Sequence, residues 1–179
     1  MVKLPFGVNI SNLINDLRVL SWEASDILLY YAQLIRNSNN VSEIITSHKN
    51  NDPVTKADLK VNELIINRLT QKYRDVNWNI LSEENTKLNI GFTKKKSDWL
   101  WILDPLDGTK DFIQGTGNYA MHLALNYKNK PFLGIVLLPA KNELWIAYQD
   151  NVWCEKRNGT RLNTLPKCKK ILKDMTLLT

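Results

Sequence analysis

Three acidic clusters hold the residue types from which chemistry could be built. The first is Asp52-Pro53-Val54-Thr55-Lys56-Ala57-Asp58, the second Glu83-Glu84, and the third Asp104-Pro105-Leu106-Asp107-Gly108-Thr109. The second and third each follow an apolar run of strand length, residues 78–81 and 99–103. A carboxylate at the end of a buried strand is costly unless something neutralises it. Two strands that each end in carboxylates can bring them together, and hard divalent cations such as Mg2+ take oxygen ligands of this kind. In the third cluster Gly108 permits a tight turn and the close approach of a ligand. Thr109 could open a short helix reaching Ile113, and amides at a helix start bind phosphate. Cation ligands and a phosphate cradle within one hexapeptide point to metal-assisted phosphoryl transfer. Each cluster alone also has a plainer reading. The first suits a turn and a helix cap, the second a solvated loop, and the third a turn. Their joint occurrence in this order, on strand ends, is what favours the chemical reading.

The elements that must position these clusters are legible in the apolar spacing. Leu13, Leu17, Leu20, Ala24, Ile27, Tyr31 and Leu34 alternate steps of four and three, which predicts a helix over 11–36 packed on a core. The Asn-Ser-Asn-Asn run at 37–40 stops it. A second helix is expected over 55–73, with Val61, Leu64, Ile65 and Leu69 as its apolar stripe. Thr55 and Asp58 have capping-box spacing, and Pro53 bars a helix from the preceding segment. Residues 99–103 are continuously apolar, as for a strand buried on both faces. The stretch 85–97 is a polar loop carrying Lys94, Lys95 and Lys96, either solvated or a basic lip near an anionic substrate. Strands follow at 121–125, 132–138, 144–148 and 152–154, with turns at 149–151 and 157–160. Helices first and strands afterwards predict an α+β fold, with no linker or repeat dividing residues 1–179.

The segment Trp101-Ile102-Leu103-Asp104-Pro105-Leu106-Asp107-Gly108-Thr109 resembles the signature of the inositol monophosphatase superfamily, Mg2+-dependent and lithium-sensitive phosphatases. The first cluster and Leu81-Ser82-Glu83-Glu84 are similar to its two upstream motifs, in the family's order. The continuation Lys110-Asp111-Phe112-Ile113 is closer to the 3′(2′),5′-bisphosphate nucleotidase branch. The resemblance implies the N-terminal part of the layered sugar-phosphatase fold, two long helices on a mostly antiparallel sheet. It also implies roles. Glu83, Asp104 and the Leu106 carbonyl would bind a first Mg2+, and Asp104 with Asp107 a second. Gly108 and Thr109 would hold substrate phosphate through their amides. Thr109 with Asp58 would orient and deprotonate the attacking water, Glu84 would have a lesser place, and Lys49 could face phosphate. The implied reaction removes a phosphate monoester, foremost the 3′-phosphate of adenosine 3′,5′-bisphosphate. An inositol or sugar monophosphatase, or a remnant binding metal and phosphate without turnover, is the alternative. The family's Trp-Asp-x-x-Ala motif, whose Asp completes the second metal site, does not occur. The resemblance therefore leads to the expectation that the family's C-terminal domain is absent and that residues 177–179 begin a strand.

Composition is consistent with an ordinary globule. The chain of 179 residues is 44% hydrophobic and 23% charged, which excludes wholesale disorder and collagen. Its net charge of +6 is compatible with anionic partners without choosing among them, and no nucleic-acid-binding motif occurs. The partner expected is a small phosphorylated substrate. Cys154 and Cys168 are too few for a disulfide framework and lack metal-ligand spacing. With no basic-then-apolar leader and no bilayer-length apolar stretch, a reduced, cytoplasmic protein is expected. His48 and His122 lie in no motif and are read as structural.

Overall fold

The computed structural model describes residues 3–37, 44–49, 52–87 and 97–162. Helix α1 (Ile10–Asn37) buries Leu13, Leu17, Leu20, Ala24, Leu28, Ala32 and Ile35 along one face. Helix α2 (Lys56–Lys72) packs beside it and buries Ala57, Val61, Ile65 and Leu69. Both meet one side of a seven-stranded sheet through a shared core. The strands are β3 (Asn79–Ser82), β4 (Trp99–Asp107), β5 (Ala120–Tyr127), β6 (Lys130–Leu138), β7 (Glu143–Tyr148), β8 (Asn151–Lys156) and β9 (Arg161–Leu162), adjacent in that order. Only β3 with β4 is parallel; every later pair is antiparallel. The α+β reading and the mostly antiparallel sheet therefore hold.

The structure also departs from the expectations. The strands β1 (Ile45–Lys49) and β2 (Asp52–Thr55) pair antiparallel as a hairpin, in which Pro53 sits opposite His48. Glu83-Glu84 do not lie in a loop but open a one-turn helix, α3 (Glu83–Lys87). Strand β4 is not covered on both faces. Trp101 and Leu103 are fully buried on the helix side, whereas Ile102 on the other side is 38% exposed. Unbroken hydrophobicity measures composition, not which faces acquire neighbours. Lys94–Lys96, Cys168, residues 177–179 and residues 38–40 of the expected helix stop lie outside the described residues.

The end of β4 is the feature that sets the site. Its pairing with β5 shifts between Asp104 and Asp107. Pro105 has no N–H to give to the ladder, so pairing is interrupted there. Pro105 and Leu106 then both turn inward, and Asp107 is exposed. Strict alternation would have put Asp104 and Asp107 on opposite faces. The extra residue of the bulge restores them to the same side.

Candidate functional site

A cleft of about 300 Å³ lies where β3, β4 and the hairpin end, lined by Pro53, Glu83, Asp104, Leu106 and residues 107–111. Beyond β4, Gly108 leads into helix α4 (Thr109–Gln114) with φ +80°, in the left-handed region. A Cβ on Gly108 would stand 2.7 Å from the Asn118 carbonyl oxygen, closer than carbon and oxygen tolerate. Glycine is thus required twice, by backbone conformation and by space. Helix α4 is fixed by Phe112, fully buried edge-on against Tyr119 at 4.8 Å between ring centres.

Glu83 and Asp104 share a hydrogen bond. Burial, the adjacent Glu83 charge and that bond, with the Asp107 charge beyond, raise the Asp104 carboxyl to about 7. The Leu106 amide, donating to Asp104 Oδ1 at 3.1 Å, opposes the rise. Asp107 lines the same cleft. Its Oδ2 lies 3.9 Å from His122 Nδ1. Among the described residues no three His, Cys, Asp or Glu side chains are grouped to hold a metal ion. Glu83, Asp104 and Asp107, expected to converge, all line this one cleft.

The expected bond between Thr109 and Asp58 is not formed. The Thr109 hydroxyl donates to the Leu106 carbonyl at 3.0 Å, within its own turn. Asp58 is 1% exposed and does not line the cleft. One of its oxygens accepts from the Thr55 amide at 2.8 Å and from the Thr55 hydroxyl at 2.5 Å. Thr55 is the N-cap of α2, and the reciprocal bonds make a capping box. The plainer reading of Asp58, closure of a helix start, describes its contacts. Burial, partly offset by the bonds from Thr55 and reinforced by the Glu84 charge, raises Asp58 to about 6.

Sequence reasoning missed His122. Met121, Leu123 and Leu125 point into the core, so alternation alone puts His122 on the opposite face. Only strand register puts it across from Asp104. Lys110 and Asp111 line the cleft and were unassigned. Glu84 is almost wholly buried and does not line the cleft. Lys49 pairs with Asp52 in the hairpin, and neither side chain is among those described.

The chain belongs to the inositol monophosphatase family, which it matches over residues 10–173. It is 35% identical over 130 residues to the 3′(2′),5′-bisphosphate nucleotidase CysQ of Haemophilus influenzae, a match covering 72% of this chain and 44% of that relative. Among solved structures it resembles the Thermotoga maritima IMPase, with 25% identity and a TM-score of 0.64 over 85% of this chain and 53% of that one. It also resembles CysQ from Bacteroides thetaiotaomicron, with 26% identity and a TM-score of 0.58 over 94% of this chain and 57% of that one. The chain thus spans about half the length of the relatives it matches. No helix among the described residues is long and apolar enough to cross a membrane.

Proposed function

We propose that the cleft serves metal-assisted hydrolysis of a phosphate monoester. The observation that carries the reading is the Glu83–Asp104 carboxylate pair in one cleft with the Gly108–Thr109 turn. The donor chemistry fits a hard divalent cation, Mg2+ foremost. The Glu83 charge raises the proton affinity of Asp104, and the described lining offers a single basic side chain, Lys110. Glu83, Asp104 and the Leu106 carbonyl would hold the cation, and Asp104 with Asp107 a second. Bound there, such ions neutralise a phosphate dianion and make water more acidic. The amides of Gly108 and Thr109, in the first turn of α4, are placed to receive phosphate oxygens, because first-turn amides lack intrahelical acceptors. Proton acceptance by Asp58 through Thr109 requires the Thr109 hydroxyl to exchange the Leu106 carbonyl for the Asp58 carboxylate.

The substrate proposed is adenosine 3′,5′-bisphosphate, losing its 3′-phosphate, in line with the CysQ relative. A second reading, binding of cation and phosphate without turnover, is favoured by the Thr109 hydroxyl bonding the Leu106 carbonyl and not Asp58. The test is phosphate release from adenosine 3′,5′-bisphosphate and inositol 1-phosphate across millimolar Mg2+, with and without chelator. Chelator-sensitive release from the bisphosphate supports the leading reading, and faster release from inositol 1-phosphate moves the substrate to the sugar class. Mg2+ binding without release from either supports the second reading. Release that persists in chelator refutes metal assistance.

A further inference from the structure

We infer that Asn62 is the positioning residue for the Glu83 end of the cleft; the inference rests on the metal reading of the site. Parallel pairing of β3 with β4 ends at Ser82 opposite Leu103, so the sheet ladder stops one residue before Glu83. The segment after it, α3, has five residues. A single turn is not stable by itself, since nucleating a helix fixes several residues for its first hydrogen bond. Something outside α3 must therefore set where Glu83 stands.

Asn62 supplies that restraint from α2. It follows Asp58 by one helical turn, on the same face, and is 9% exposed. Its Oδ1 accepts from the Ser82 hydroxyl at 2.5 Å, and its Nδ2 donates to Asn85 Oδ1 at 3.0 Å. Residues 82 and 85 bracket Glu83 and Glu84. One carboxamide thus grips both sides of the acidic pair, using an acceptor and a donor held in one plane. Ser82 and Glu84 are buried, while Glu83 is exposed to the cleft. The junction is pinned from behind and its forward carboxylate is left for Asp104.

Asn62→Leu, close to isosteric and unable to bond either partner, tests the inference in the full 179-residue chain. Amide hydrogen exchange at residues 83–87 is expected to rise at least tenfold, with the amides of β4 unchanged. Mg2+ affinity, measured by calorimetry, is expected to fall about tenfold or more, the usual effect of losing a residue that orients a ligand. In a Glu83→Ala background the same substitution should change Mg2+ affinity no further, because Asn62 acts through Glu83. A merely structural role would weaken binding equally in both backgrounds, and that result overturns the inference. So does unchanged exchange at 83–87. If the wild-type chain binds neither Mg2+ nor Mn2+, the metal reading falls, and hydrogen exchange alone decides whether Asn62 holds the junction. Ser82→Ala, which breaks one arm only, replaces Asn62→Leu if that variant does not fold.

Discussion

Replacing Asp58 with Asn should change how stability depends on pH, and the size follows from the buried capping box. Asp58 is 1% exposed, so solvent screens it little. Its carboxyl is raised from 3.8 to about 6, with burial as the largest cause. Below pH 3.8 both folded and unfolded chains carry the proton, and this group does not oppose folding. Between 3.8 and about 6 the unfolded chain ionises first, and the folded state loses ground as pH rises. The shift of roughly two units corresponds to about 3 kcal/mol at 1.36 kcal/mol per unit, fully lost above pH 6. Asn keeps an oxygen that can accept from the Thr55 amide and hydroxyl but never ionises. The difference in unfolding free energy, variant minus wild type, should therefore climb by about 3 kcal/mol between pH 3 and pH 7. Urea unfolding followed by tryptophan fluorescence measures it, since Trp78 and Trp101 are buried. Asp104 and the other titrating groups are present in both proteins and cancel to first order in the difference. A difference that stays flat across this range, or falls, refutes the account of Asp58 as a buried carboxyl held near neutrality.

Gly108→Ala should destabilise the chain by about 2 kcal/mol or more, because φ is positive and the new methyl meets the Asn118 carbonyl. The same substitution should abolish phosphate binding measured by calorimetry; wild-type stability in urea would contradict the strain argument. Glu155→Ala should cost about 3 kcal/mol. Glu155 is 4% exposed; although burial pushes its carboxyl up, bonds from Arg18 and Trp153 hold it below its usual range, and its loss strands Arg18. Thr109→Val should cost only about 1 kcal/mol, the worth of one hydroxyl bond to the Leu106 carbonyl. It should leave the pH profile of stability attributed to Asp58 unmoved; a profile that shifts would show that the two residues are linked after all.

Local chemistry is what the sequence by itself determined. Apolar spacing sets α1 and α2, since a helix periodic in buried residues needs no knowledge of distant partners. Thr55 and Asp58 close the start of α2 because capping spans four residues. Gly108 is readable as a turn because glycine alone takes positive φ without a steric cost. Family kinship too was legible, since the three acidic clusters stand in the family's order. Tertiary structure decided whatever depends on register and on neighbours distant in sequence. The bulge at Pro105 returns Asp107 to the Asp104 face, and the β4–β5 pairing puts His122 across from Asp104. The exposed side of β4 at Ile102 follows from which sheet face the helices cover. Asn62 lies twenty residues and more from Ser82 and Asn85, and only the packing of α2 against the end of β3 brings the three amide and hydroxyl groups within bonding distance. Side-chain partners in such places are chosen by long-range packing, to which spacing along the chain carries no reference.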